Sequence, residues 1–315
     1  MESLKNLKVN IIRKSIFLLL FLSYGIVSFT QERYIMTSDS VKLYVKVQGK
    51  GTPCLYLHGG PAAGSYFLDT LFGSYLEQHF KMIYLDQRGS GFSESPKDNN
   101  YTMDRMVKDF EEVRTSLGIA NWITLGHSFG GVLQMGYVQK CPDVINGMIM
   151  INCTLNIPES FNESWFPKGC EFLQITNTSY YLDKSIPVQL RLDSLLSQLI
   201  QNDIIWKMNF SSENDNEEMN TIYKNTPNFN EAFYYYGLTL NDYFYDFKEI
   251  TKNVNKPVLF FYGKKDWCVG PEHYKGVNFP NMILWSFEGE HMMPFLKNKP
   301  DLEKAIDRYI NNYKF

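Results

Sequence analysis

Apolar and polar positions alternate along the first part of the chain in two rhythms. In residues 41–47, Leu43, Val45 and Val47 alternate with Lys42 and Lys46, the period of a strand with one buried face. With residues 32–36 before it and Thr37-Ser38-Asp39-Ser40 between, this predicts a hairpin. Three runs are apolar almost throughout, as expected of strands buried on both faces: 53–57, 81–85 and 122–125. Between them lie helical stretches. Residues 66–79 form one, and residues 103–117 carry Met106, Val107, Phe110, Val113 and Leu117 on one stripe with charges between. A helix to Gln139 and a strand over 147–153 continue the alternation, which predicts a mainly parallel sheet with helices on both faces.

From residue 154 to about 253 the rhythm is lost. Aromatic residues and Asn crowd the segment, glycines are few, and a polar run over 211–218 interrupts it, so the expectation is an inserted, mostly helical cap. The strand pattern resumes at 257–262 and 282–287, and residues 300–313 close the chain as a helix. The expected organisation is therefore a core in two parts, 31–153 and 254–315, around a cap at 154–253.

Composition changes this picture little. The chain has 315 residues, 44% hydrophobic and 21% charged, enough for one large core. A net charge of −3 gives no electrostatic case for a nucleic-acid partner. Five cysteines (Cys54, Cys141, Cys153, Cys170, Cys268) make no C-x-x-C pair and no metal spacing, so neither a metal nor another cofactor is expected, and no disulfide can be assigned. Cys54 and Cys153 lie in apolar runs and are expected to be buried as small hydrophobes.

The amino terminus reads as a separate unit. Lys5, Lys8, Arg13 and Lys14 precede an apolar run from residue 16 to 29, shorter than the roughly 20 residues of a membrane span, and small residues Ser28 and Thr30 sit one apart at its end. The expectation is a signal peptide over 1–30, an exported protein, and no stable membrane span once it is cleaved; the alternative is a membrane anchor left uncleaved. Cleavage would remove four basic residues and one acidic one, taking the net charge from −3 to −6.

The candidate chemistry sits at the ends of the predicted strands. Gly126-His127-Ser128-Phe129-Gly130 follows the strand at 122–125 and opens a helix, the strand–turn–helix setting in which a G-x-S-x-G serine projects as a nucleophile. In the simpler reading Ser128 only caps the helix. His58-Gly59-Gly60-Pro61 ends another strand, and its bare residues let backbone amides approach a ligand. Asp86 and Arg88, in Asp86-Gln87-Arg88-Gly89-Ser90-Gly91-Phe92-Ser93, read as structural.

A serine nucleophile needs a histidine to take its proton and a carboxylate to hold that histidine. Of five histidines, His58 belongs to the glycine turn, His127 is expected to point away from Ser128, His79 ends an early helix, and His273 lies seven residues after Asp266. His291 alone follows a strand end beyond a candidate acid, Asp266, in the order Ser, Asp, His. Parallel sheets collect their sites at these carboxyl ends.

With these residues in place, the sequence resembles the α/β-hydrolase superfamily and, more closely, its prolyl iminopeptidase-like branch. His58-Gly59-Gly60-Pro61 is similar to that branch's HGGP turn, and Asp86-Gln87-Arg88-Gly89 with Gly91 and Ser93 to its DQRGxGxS loop. The resemblance covers residues 32–315 except the cap. It implies Ser128 as nucleophile, His291 as general base and acid, Asp266 as the orienting carboxylate, and the amides of Gly60 and Phe129 as oxyanion donors. Two positions depart from the branch: Ala62 stands where it usually has glycine, and Phe129 where iminopeptidases commonly have Trp.

The leading expectation is a serine hydrolase forming an acyl-enzyme on Ser128, as a prolyl iminopeptidase-like aminopeptidase on short peptides. A carboxylesterase on small esters is the alternative, and a non-catalytic ligand-binding protein on the same fold is the second. An aminopeptidase needs a carboxylate for the substrate's amine, and the cap candidates are Glu163, Glu171, Glu231, Asp242 and Asp246.

Overall fold

The computed structural model describes residues 31–226 and 229–315, so the expected signal segment lies outside the described residues. Strands β1 (Gln31–Met36) and β2 (Lys42–Gly49) form the antiparallel hairpin, with Leu43, Val45 and Val47 buried in alternation as expected. Next come β3 (Thr52–Leu57), β4 (Phe80–Leu85), β5 (Trp122–His127), β6 (Ile145–Ile151), β7 (Pro257–Gly263) and β8 (Asn281–Phe287). The order across the sheet is β1-β2-β4-β3-β5-β6-β7-β8. Only β1–β2 and β2–β4 pair antiparallel, and the remaining neighbours are parallel.

The near-continuous apolar strands are explained by two layers of helix, one on each face. Successive side chains of a strand point to opposite faces. Leu55, Leu57, Ile83, Leu85, Met148, Met150, Val258 and Phe260 accordingly join one apolar cluster, with Met106, Phe110 and Val113 of α2 (Met103–Ser116) and Val132 and Met135 of α3 (Gly130–Lys140). Their neighbours Cys54, Tyr56, Met82, Tyr84, Ile149, Ile151, Leu259 and Phe261 join the other. There they meet Phe67, Phe72 and Leu76 of α1 (Tyr66–His79) and Leu302, Ile306 and Tyr309 of the carboxyl-terminal helix (Lys299–Tyr313). All five cysteines are free thiols, and Cys54 and Cys153 are buried as expected.

One boundary differs from expectation. Strand β6 begins at Ile145, directly after a helical turn over Pro142–Val144, and stops at Ile151 because Asn152 adopts a left-handed conformation with φ of 46°.

Between β6 and β7 the described residues contain no strand, only helices and turns. After a π-helical turn (Ser160–Trp165) come α4 (Phe166–Phe172), α5 (Ser179–Leu182), α6 (Val188–Gln201), α7 (Glu213–Lys224) and α8 (Ala232–Gly237). The polar run over 211–218 is a helix start: Ser212 caps α7 by accepting from the Asp215 amide at 3.4 Å, and acidic residues fill the first turn, where the helix dipole favours them. Trp165, Phe166, Leu192, Leu195, Leu199 and Met208 form a separate apolar cluster for the first half of this segment. The second half leans on the sheet, Phe233 meeting Phe129 at a ring separation of 5.7 Å and Tyr101 at 5.5 Å. No helix among the described residues is long and apolar enough to cross a membrane.

Candidate active site

Ser128 occupies the turn between β5 and α3 with φ of 55°. The turn is held from three sides: the Ser128 amide donates to the Ile151 carbonyl at 3.2 Å, and its own carbonyl accepts from Gly131 at 3.0 Å and Thr154 at 3.1 Å. A side chain has no room beside it. A Cβ on Gly130 would lie 2.1 Å from the Leu57 carbonyl oxygen, and one on Gly59 2.7 Å from the Ser128 Cβ. The Ser128 hydroxyl makes no capping bond; Phe129 holds the N-cap position of α3, also without a side-chain cap. The helix-cap reading is therefore set aside, and the hydroxyl lines a cavity instead.

His291 and Asp266 meet as the strand order implies. The imidazole Nδ1 lies 2.9 and 3.0 Å from the two Asp266 carboxylate oxygens, and both residues are buried. Oδ1 of Asp266 also accepts from the amides of Cys268 at 3.1 Å and Val269 at 3.0 Å. A carboxylate so placed only accepts, so Nδ1 carries the proton and Nε2 is left with a lone pair. His291 and Ser128 line the same cavity. They are not hydrogen-bonded to each other in this structure, as is common before a substrate tightens such contacts. Gly60 and Phe129 line the cavity too, and neither amide is engaged by another group among the described residues.

Asn152 supports the histidine, and no motif in the sequence marks it. Its Nδ2 donates to the His291 carbonyl at 2.7 Å and its Oδ1 accepts from the Gly263 amide at 2.9 Å, so one side chain ties the histidine loop to the end of β7 that leads to Asp266. The left-handed backbone this needs is one that asparagine tolerates.

His127 does not point away from the site. Its ring keeps the face of β5 that carries Ile123 and Leu125, packs on Phe67 and Phe295, lies 4.7 Å from the His291 ring between centroids, and lines the same cavity. Burial, and then the neighbouring His291, hold its pKa well below the usual value, so it faces the site neutral. His58 is neutral as well, its pKa pushed by burial from 6.5 to about 3. Its Nδ1 donates to the Gly59 carbonyl at 3.0 Å and its Nε2 accepts from the Gln87 amide at 3.1 Å, which joins the glycine turn to the loop after β4. In that loop Asp86 accepts from the amides of Ser65 at 2.6 Å and Phe92 at 2.8 Å. Arg88 is buried in a bidentate pair with Asp109 at 2.6 and 2.8 Å, and pairs again with Asp39 at 2.9 Å. Both are structural, as expected.

The cavity measures about 270 Å³. About half of its wall is cap residues, with Ser160, Phe161 and Trp165 of the π-helical turn, Leu192 and Leu196 of α6, and Tyr223 and Tyr234 beyond them. None of the five expected acids is among its lining residues. Glu163 is exposed and paired with Lys184 at 2.9 Å, and Glu171 is exposed and paired with Lys168 at 2.7 Å. Asp242 accepts from the Met103 amide at 3.2 Å, and Asp246 caps its own turn by accepting from Lys248 at 3.0 Å. Glu231 is exposed at the start of α8, and its charge, after burial, helps raise the pKa of Tyr223. No carboxylate is found in the cavity wall among the described residues.

Asp266, Cys268 and His291 are a trio near enough to share a metal ion. Their chemistry does not suit one. The Asp266 carboxylate is already bonded to His291 and two amides, and burial raises the Cys268 pKa well above its ordinary value, away from the thiolate a metal needs.

Known proteins resemble this chain in sequence and in fold. The alpha/beta hydrolase fold family matches residues 52–297. The proline iminopeptidase of Neisseria gonorrhoeae is 34% identical over 121 residues, which are 37% of this chain and 38% of that protein. That of Arabidopsis thaliana is 32% identical over 139 residues, 43% of this chain and 35% of that protein. The chain thus matches less than half the length of these relatives. Among solved structures, a proline iminopeptidase-related protein from Thermus thermophilus superposes with a TM-score of 0.72 at 20% identity, covering 90% of this chain and 98% of that one. An esterase from Exiguobacterium antarcticum gives 0.66 at 20% identity, covering 89% and 100%.

Proposed function

Because the chain belongs to the α/β-hydrolase family, and is a hydrolase, we propose that it forms an acyl-enzyme on Ser128 and acts on small esters of uncharged, apolar acids. The Ser128 Oγ attacks the ester carbonyl while Nε2 of His291 takes its proton, and Asp266 stabilises the imidazolium through Nδ1. The amides of Gly60 and Phe129 receive the developing oxyanion. The intermediate collapses with loss of the alcohol, which receives its proton from His291. Water, deprotonated by the same imidazole, then attacks the acyl-serine and releases the acid, returning the proton to Ser128.

The observation that favours an ester over a peptide with a free amino terminus is the cavity wall. An ammonium entering an apolar cavity loses hydration that only an opposing carboxylate replaces, and no such group lines the wall among the described residues. The likeness to proteins named proline iminopeptidase favours a second reading, aminopeptidase activity, for which Glu231 beside Tyr223 is the best-placed acid.

Short-chain nitrophenyl esters and prolyl and alanyl naphthylamides assayed side by side separate the two. The ester reading expects turnover of the esters with the naphthylamides at background. Efficient prolyl-naphthylamide cleavage that is lost in Glu231→Gln while the esters are spared would replace it with the peptidase reading.

A further inference from the structure

A polar group on an apolar wall is costly to leave without a partner. Phe67, Ile157, Phe161, Trp165, Leu192 and Leu196 make most of this wall apolar, and Asn209 interrupts it. This residue closes the helical turn Ile205–Met208, and its backbone carbonyl accepts from the Met292 amide at 3.0 Å, which places it beside His291. On its side chain Oδ1 accepts from the Cys268 thiol at 3.2 Å, the nearer of that thiol's two acceptors; the other is the Met208 carbonyl at 3.4 Å. Cys268 in turn gives its amide to Asp266. In this arrangement Oδ1 faces the Cys268 thiol, and Nδ2 is the other end of the amide. The Nδ2 group is then left with two N–H donors and no partner among the described residues.

We propose that Asn209 determines specificity by donating a hydrogen bond from Nδ2 to an uncharged oxygen of the substrate, an ether or a carbonyl apart from the one attacked. The site would then prefer esters that carry such an oxygen over alkyl esters of the same shape. The inference rests on the hydrolase reading above and deepens it. Its chemistry agrees with a wall that holds no carboxylate among the described residues: an amide N–H meets an acceptor and offers nothing to an ammonium, itself only a donor. Asn209 is half-buried, so its amide is open to water until a substrate covers it; a substrate that covers the donor without pairing it strips that water without replacement.

Two matched pairs test this in the full enzyme: 2-methoxyethyl butanoate against butyl butanoate for the alcohol side, and butyl 3-methoxypropanoate against butyl pentanoate for the acyl side. The wild type should favour the oxygen-bearing member of at least one pair by roughly tenfold in kcat/KM, the scale of one neutral hydrogen bond. Asn209→Leu removes the donor with similar bulk and leaves the backbone bond to Met292. Asn209→Asp removes the donor but keeps an acceptor for the Cys268 thiol, so it guards against a mere loss of packing. Both should bring the ratio close to one. Equal rates for both pairs in the wild type, or a preference that survives Asn209→Leu, would overturn the inference while leaving the hydrolase reading intact. If none of the four esters is turned over, it is the ester reading that fails. The shift in melting temperature of Ser128→Ala with each intact ester then makes the same comparison without turnover, and equal shifts within both pairs count against the donor.

Discussion

At the scale of single residues, the site depends on which nitrogen of His291 holds the proton. Asp266 sets this by accepting at 2.9 Å from Nδ1, and two backbone amides hold the carboxylate in position. Asp266→Asn keeps the shape but offers an N–H where the imidazole now finds an acceptor, so the ring turns to the other tautomer and the imidazolium loses its counter-charge. A fall on the order of 10⁴ in kcat is the scale known for this change in a serine protease. Steady-state kinetics on an ester, with the melting temperature as a check on folding, would measure it; a silent Asp266→Asn would mean that another acid serves the histidine. Asn152 belongs to the same scale. It works through backbone groups, holding the His291 carbonyl and the Gly263 amide together, which makes it a positioning residue.

At the scale of elements, the strand ends carry Ser128, Asp266 and His291, and the segment between β6 and β7 supplies about half of the cavity wall. Leu195 is fully buried within the cap's own cluster, and its side chain lies against Gly169 of α4, where an added Cβ would be 2.7 Å away. Leu195→Ala should cost about 2–5 kcal/mol in the cooperative unit that contains it. Urea unfolding followed by fluorescence and far-ultraviolet dichroism would show whether that loss appears as an early transition of the cap or in the whole domain; no loss would mean that the cluster collapses onto the vacancy. The division between strands and cap also explains what could be read in advance. The elbow and the Ser128, Asp266, His291 order were legible because each residue lies just past a strand whose apolar run is plain in the sequence. His127 was misread because the strand period, which puts it on the face of Ile123 and Leu125, does not say that His291 comes to pack against that face. Asn152 and Asn209 carried no signal, since each matters only through partners more than fifty residues away in sequence. The five cap acids had the right charge for an amine, but charge alone does not say which side of a helix a residue takes. Lysines pair two of them, backbone amides use two more, and Glu231 remains exposed.

At the scale of the whole molecule, two buried histidines couple stability to pH. His58 has a folded pKa of about 3 against an ordinary 6.5, and that of His127 is also lowered, so the unfolded chain binds protons that the folded chain refuses. The stability these two histidines contribute is therefore fully present above pH 6.5 and should fall as the pH drops through that value, by up to about 1.4 kcal/mol per unit for each. Asp86, whose pKa burial raises, takes up protons when folded and opposes this trend at lower pH. Urea midpoints between pH 7 and about 5 should fall in the wild type and fall less steeply in His58→Gln, where the amide can replace the hydrogen bond without titrating. A wild-type midpoint that rises on acidification would refute the assignment of neutral histidines. The central claim concerns Ser128, and its most direct test is a fluorophosphonate probe read by intact mass and peptide mapping on the wild type, Ser128→Ala and His291→Ala. The account predicts a single adduct on Ser128 in the wild type, none in Ser128→Ala and labelling slowed by about 10³-fold or more in His291→Ala; a wild type that stays unlabelled, or a label on another residue, would contradict it.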